Sequence, residues 1–269
     1  MKFYREFLVK PGRRVQLADH DPDCAGPLRD KSEAEKPMRK NLDRLHALQY
    51  LLYAEGRRAL LIVLQAMDAG GKDGTIRHVM SGLNPQSCRV TSFKAPSAAE
   101  LAHDFLWRIH AAAPAKGEIG IFNRSHYEDV LVVRVHKLVR EKTWSARYEQ
   151  INRFEEILTK NDIRILKFYL HISKAEQRAR LEQRLKDPTK NWKISPADLA
   201  ERKRWGAYVR AYEDALSRCS TPDAPWFIIP ANHKWFRNLA VSQIIVEALE
   251  EMGMKFPRAS FDISKVRLK

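Results

Sequence analysis

Residues 59–75, Ala-Leu-Leu-Ile-Val-Leu-Gln-Ala-Met-Asp-Ala-Gly-Gly-Lys-Asp-Gly-Thr, run from an uncharged, β-rich stretch into a glycine turn that ends in a lysine. Leu60–Leu64 has the length and composition of a strand buried on both faces of a parallel sheet. Gly70 and Gly71 turn the chain, and a helix can begin near Gly74–Thr75. Such a strand–loop–helix aims the loop's backbone N–H groups and the helix N-terminus at one point, where a phosphate accepts several hydrogen bonds at once. Lys72 adds a mobile positive charge. The segment is expected to cradle phosphate through Ala69, Gly70, Gly71, Lys72, Asp73, Gly74 and Thr75.

The loop departs from the usual pattern G-x-x-x-x-G-K-[ST], whose last hydroxyl binds magnesium. Ala66 replaces the first Gly and Asp73 replaces the hydroxyl residue. Ala at the first position is tolerable wherever φ stays negative. Asp68 is the greater departure, because a carboxylate beside a phosphate repels it unless a cation lies between. Asp68 is therefore expected on the metal side of the site. The competing reading makes Asp68 and Asp73 turn and helix-start residues.

A chain of 269 residues with 44% hydrophobic residues can bury one substantial core. The longest apolar run breaks at Gln65, and the N-terminal residues do not read as a signal peptide, so a cytoplasmic protein is expected. Cys24, Cys88 and Cys219 are scattered, without a C-x-x-C, which suits reduced thiols and argues against zinc. The nine histidines show no metal-binding spacing. The net charge of +15 exceeds what a mononucleotide phosphate needs. It suggests a long polyanion, though a basic solvated surface or a nucleic-acid footprint has the same charge.

Residues 1–36 are polar and irregular and are expected as an extension around the outside of a single domain, 37–269. Met38, Leu42, Leu45 and Leu52 predict a helix over 37–55, with Pro37 in its first turn and Gly56 as its stop. Further strands are expected at 89–93, 118–122, 164–171 and 226–229. Helices are expected at 98–112, 145–160 and 235–252, with capping boxes at Ser97-Ala-Ala-Glu100 and Ser173-Lys-Ala-Glu176 and a helix start at Ser195-Pro196. Strands alternating with helices in this way predict an α/β fold, a five-stranded parallel sheet with helices on both faces.

Ligands of such sheets lie beyond the carboxyl ends of the strands. The first strand delivers Asp68 and Lys72, the second Lys94, and the third Asn123-Arg124. The fourth leads into residues 174–193, which hold seven cations against three acids and so carry +4 of the chain's +15. On a helix, Arg180 and Arg184 share one edge while Leu181 and Leu185 share the next. A basic lid with an apolar underside is expected at about 174–205, able to close over phosphates and place guanidinium groups on a transferring phosphoryl. Asn123 stands where kinases of this design carry a magnesium-binding Asp. Glu128 is the nearest carboxylate able to supply the missing charge, with Asp129 its competitor.

Taken with these residues, the chain resembles the polyphosphate kinase 2 family from Asp43 to Val246. The resemblance rests on Met67–Thr75, on Phe122-Asn-Arg-Ser-His-Tyr-Glu-Asp129 and on Glu176-Gln177 with Arg180 and Arg184. It rests also on Pro188-Thr-Lys-Asn-Trp-Lys193 and on Ala224-Pro-Trp226. Asn123 with Glu128 resembles the third class of that family, whose members phosphorylate both AMP and ADP from polyphosphate; the other classes carry Asp at the position of Asn123. The resemblance implies a three-layer P-loop kinase-like fold with a helical lid, magnesium (or manganese) dependence and a basic channel for inorganic polyphosphate. It also implies a homodimer or homotetramer. It assigns Asp68, Lys72, Arg124, Glu128, Arg180 and Arg184 to catalysis. Lys190 and Lys193, and more weakly Arg178, match the family's phosphate path; Lys94, from the strand-end rule, is expected to join them, and the charge argument places Asp68 and Glu128, with Asn123 nearby, at the metal.

The expected reaction carries the terminal phosphoryl of polyphosphate to AMP or ADP, giving ADP or ATP. The attacking phosphate oxygen is already ionised near neutral pH, so no general base is needed. The rivals are an ATP-dependent nucleoside monophosphate kinase and a nucleic-acid-binding protein with a relic loop. No zinc-finger, helix-turn-helix or RNP-like pattern supports the latter, and neither a nucleic-acid nor a membrane partner is expected.

Overall fold

The computed structural model describes residues 2–194, 196–262 and 265–267. Five strands, β1 (Ala59–Ala66), β2 (Cys88–Ser92), β3 (Ile119–Asn123), β4 (Ile163–His171) and β5 (Trp226–Pro230), form one sheet in the order β2-β3-β1-β4-β5. Every pairing is parallel. β1 is central, buried at all eight positions, as its uncharged sequence requires. The chain passes from β1 out to β2, returns through β3, then crosses to β4 and β5, so the topological switch lies at the carboxyl end of β1.

The helices are α1 (Phe3–Phe7), α2 (Lys31–Glu55), α3 (Lys72–Val79), α4 (Ala98–Leu101), α5 (Trp107–Ala111), α6 (Val132–Val135) and α7 (Glu141–Lys160). They continue with α8 (Lys174–Lys186), α9 (Pro196–Lys203), α10 (Trp205–Cys219) and α11 (Lys234–Glu251). One group packs α1, α2 and α3 around α11, and another packs α6 and α10 around α7. No helix among the described residues is long and apolar enough to cross a membrane.

Several boundaries differ from expectation. α2 begins at Lys31, so the expected boundary at 36/37 falls inside a helix. Asp30 caps it by accepting from the N–H groups of Ser32 and Glu33, while Glu33 accepts from the Arg29 N–H. This reciprocal cap outweighs the start signal of Pro37, which lies inside the helix instead. The stop at Gly56 is where it was expected, left-handed at φ 59°. The single helix expected over 98–112 is two, because Asp104 Oδ1 accepts from the Leu106 N–H and turns the chain anew. The first residues are not merely an outer wrap: Phe3 is fully buried against Phe7 and Phe236, and Leu8 bridges to Phe227 on β5. The expected helix start at Ser195 lies outside the described residues.

A buried polar network fixes the turn that follows β3. Lys167 on β4, wholly buried, donates to Glu155 on α7, to the Tyr127 hydroxyl at 2.9 Å and to the Cys219 carbonyl at 2.6 Å. Glu155 also accepts from the Tyr127 hydroxyl at 3.0 Å and lies 3.1 Å from the His126 ring. Burial opposes its ionisation, yet Lys167 and His126 hold its carboxyl below the ordinary range. The 3-10 turn His126–Asp129, which carries Glu128, is thereby bolted to β4 and α7.

Candidate active site

The loop between β1 and α3 closes on itself through the Gly70 N–H and the Met67 carbonyl, 2.9 Å apart. Gly71 has φ 101°, a backbone conformation that demands glycine, and a Cβ there would displace the tip of Arg237. Ala69 is left-handed at φ 60° and Arg124 at φ 62°. Strain of this kind persists where surroundings over-determine the backbone. Here α8 does so: Gln177 Nε2 donates to the Asp68 carbonyl at 3.0 Å and Arg180 Nη1 to the Ala69 carbonyl at 2.9 Å.

Above the loop lies a cavity of about 690 Å³. Asp68, Ala69, Gly70, Gly71, Lys72, Asp73 and Gly74 line it, with Lys94, Asn123, Arg124, Arg180, Arg184, Lys190 and Lys193. Ten cations face it against two acids. Beside it is a smaller cavity of about 210 Å³, walled by Met67, Leu131, Trp205, Tyr208 and Tyr212 together with Glu128. Asp68 and Arg124 are the two residues common to both linings.

Charge is concentrated at that junction. Arg124 lies 3.6 Å from Asp68 and 3.9 Å from Glu128. Burial works against its charge, but the two carboxylates prevail and raise its affinity for the proton. Burial is also the main influence on Glu128, whose carboxyl is pushed up; Asp68 adds to this, while Arg124 and Lys72 oppose it. Lys72, whose Nζ lies 3.3 Å from the Ala66 carbonyl, is lowered by burial and by Arg124. Asp129, the alternative to Glu128, is held by Arg147 at 2.9 Å and lines neither cavity.

Three expectations about single residues need correction, and Arg180, which lines the cavity as expected, has a second duty. Thr75 lies three residues into α3, fully buried, and its hydroxyl donates to the Gly71 carbonyl at 3.1 Å instead of facing the cavity. Arg178 pairs with Glu182 at 2.7 Å on the outer face of α8, because two residues along a helix rotate a side chain about 200° away from Arg180. Arg180 is 6% exposed and spends most of its donors on Glu176 and on the carbonyls of Ala69, Ala231 and Asn232, so it fastens α8 to the loop. The apolar underside of the lid ends at Leu181, 4% exposed; Leu185 is 59% exposed, because the buried positions of α8 are confined to its first two turns.

Other cavity residues escaped the sequence reading. Lys234 and Arg237 follow β5, and the strand-end rule that found the other candidates would have found them had it been extended to the fifth strand. Arg77, just over one turn after Lys72 on α3, also lines the cavity, as does Gln183.

Comparison with known proteins agrees with this geometry. A family model described as "Polyphosphate kinase 2 (PPK2)" matches residues 28–257. The chain is 51% identical over 267 residues to an AMP/ADP-polyphosphate phosphotransferase of Meiothermus ruber, covering 99% of each chain. It is 46% identical over 268 residues to an ADP-polyphosphate phosphotransferase of Rhodopseudomonas palustris, covering 95% of this chain and 93% of that one. The crystal structure of polyphosphate kinase 2 from Arthrobacter aurescens superposes with a TM-score of 0.92 at 43% identity, covering 95% of this chain and 92% of that one.

Proposed function

The chain belongs to the polyphosphate kinase 2 family and is a polyphosphate-dependent nucleotide phosphotransferase, and on that premise we propose how its residues perform the reaction. The larger cavity takes the donor, inorganic polyphosphate; AMP and ADP are the acceptors, and ADP and ATP the products. The observation that carries this reading is the wall of ten cations against two acids, far more positive charge than a nucleotide's own phosphates would use.

The terminal phosphoryl is held at the loop by backbone N–H groups, Lys72 and Arg124. Lys94, Arg184, Lys190 and Lys193 hold the rest of the chain. Trp205, Tyr208 and Tyr212 give the acceptor's base an aromatic wall in the smaller cavity. The acceptor phosphate then meets the donor at the Asp68–Arg124 junction, placed for in-line attack. No histidine lines the larger cavity among the described residues, and an acceptor oxygen ionised near neutral pH needs no base.

Asp68 and Glu128 fit a magnesium ion, with manganese able to replace it. Their shared Arg124 lies beyond hydrogen-bond range of either carboxylate, at 3.6 and 3.9 Å. Among the described residues no group of three or more His, Cys, Asp or Glu could hold a metal. A magnesium ion takes one or two carboxylates and completes its shell from phosphate oxygens and water. Bound there, it supplies positive charge between two anions that would otherwise repel. The proposal includes a homodimer or homotetramer and a cytoplasmic location.

The test is incubation of purified protein with AMP, polyphosphate and magnesium, followed by separation of ADP and ATP. Both products are expected to form without added ATP. Product formation only when ATP is supplied would identify an ATP-dependent nucleoside monophosphate kinase instead.

A further inference from the structure

Arg237 is a buried guanidinium with no carboxylate beside it. It stands in the first turn of α11 and is 3% exposed. Its Nε and Nη2 both donate to Oδ1 of the adjacent Asn238, at 3.1 and 2.8 Å. Nη1 has no acceptor among the described residues. Burial, followed by the neighbouring Arg180, pushes the group down to about 10. A cation removed from water without a counter-ion is costly, so a site that keeps one is built for an anion that arrives with a ligand.

The position of the group says which anion. Nη1 lies so close to Gly71 that a Cβ there would meet it at 1.9 Å, and Nη2 lies 3.4 Å from where a Gly74 Cβ would stand. Arg237 thus abuts the phosphate loop from α11, the helix that follows β5. Lys234, one turn earlier on α11, lines the same large cavity, and neither residue lines the smaller one. Arg180 cannot do the same work, because most of its donors are taken by backbone carbonyls and Glu176. A guanidinium presents a planar fork suited to two phosphate oxygens at once.

We infer that Arg237, assisted by Lys234, is a donor-only phosphate site that grips the polyphosphate chain next to the loop and takes no part in binding the acceptor nucleotide. The inference rests on the polyphosphate reading above. It makes α11, well apart from the lid in sequence, part of how the enzyme distinguishes donor from acceptor.

The experiment compares Arg237→Gln, Arg237→Lys and Lys234→Ala with the natural protein, varying polyphosphate and ADP separately. Arg237→Gln should raise KM for polyphosphate about tenfold or more, the scale of a charge-assisted hydrogen bond lost, and leave KM for ADP unchanged. Arg237→Lys should lie between the two, and the exposed Lys234→Ala should show the same selective change more weakly. Thermal unfolding with tripolyphosphate alone gives a second reading that does not depend on turnover. The natural protein should gain Tm with the anion, whereas Arg237→Gln should start no lower and gain much less. A lower starting Tm with an undiminished gain would make Arg237 merely structural and overturn the inference. A raised KM for ADP with polyphosphate unaffected would overturn it too. Should Arg237→Gln not fold, unaltered polyphosphate KM in both remaining variants would do the same. If the natural protein transfers nothing from polyphosphate, the functional reading fails instead, a result separate from any of these.

Discussion

Asn123 at the end of β3 donates from Nδ2 to Oδ1 of Asp73 in the first turn of α3, across 2.7 Å. Each residue departs from the usual pattern, which places a hydroxyl at the position of Asp73 and a carboxylate at that of Asn123. Taken singly, each departure looks like damage to a metal site. Taken together they exchange roles: the carboxylate has moved to the helix and the donor to the strand. The pair still contributes one negative charge at the cavity wall, and the amide spares Asp73 a second carboxylate within hydrogen-bond reach.

The first consequence concerns Asn123→Asp. Two carboxylates would then face each other at hydrogen-bond distance, and one would be driven to hold a proton. Turnover at neutral pH should fall about tenfold, and the loss should shrink as pH is lowered and the shared proton is supplied. Adding Asp73→Asn restores one acid and one amide in mirrored positions. The double variant is expected to recover most of the loss, and kcat measured across pH for Asn123→Asp, Asp73→Asn and the double variant gives the coupling directly. A double variant no better than Asn123→Asp alone would show that the two residues act separately.

The contrast between Asn123 and Arg237 also shows what a linear reading can see. β1 is legible because an uncharged run followed by Gly70-Gly71-Lys72 has few other uses, and the residues after β2, β3 and β4 follow from the strand-end rule. Glu128 was legible as the nearest carboxylate, though only the ion pair of Asp129 with Arg147 excludes its neighbour. Arg178 and Arg180 look alike in a basic run; the rotation of α8 against the sheet, set by burial of Gln177 and Leu181, decides between them. Lys167 is more hidden still. In an apolar strand it gives no sign of being buried, since its partner Glu155 is supplied by α7. Thr75 misleads in the other direction, because a hydroxyl near a phosphate loop can satisfy its own helix.

The lid arginines should separate by experiment. Arg184 is half-exposed and makes one bond to the Lys193 carbonyl at 3.2 Å. Arg184→Ala should therefore lower turnover while changing stability by no more than about 0.5 kcal/mol, the usual range for surface sites. Arg180→Ala removes a buried guanidinium that satisfies three carbonyls and holds left-handed Ala69 in place. It should cost about 3 kcal/mol of stability as well as activity. Urea unfolding beside the kinetic assay distinguishes the two. Equal unfolding midpoints for both variants would mean that α8 does not depend on Arg180 for its attachment.

Glu128 offers a test in which stability and activity move in opposite directions. Burial raises its carboxyl above the ordinary 4.5, so the folded protein binds this proton more tightly than the unfolded chain does. Its contribution to stability is fullest below the unfolded value and is lost as pH rises through the folded one, beyond which a buried charge must be maintained. Glu128→Gln removes that burden. Without metal, the variant should unfold at an equal or higher temperature than the natural protein at pH 8, with the difference closing toward pH 4. Turnover should nevertheless fall about tenfold or more, at least 1.4 kcal/mol in the barrier, because in the proposed site the amide would not supply the charge a magnesium ion needs beside Asp68. Unfolding scans without metal across this pH range, together with rates at saturating magnesium, check both halves. A variant as active as the natural protein at saturating magnesium would remove Glu128 from the metal site and leave Asp68 as its only carboxylate.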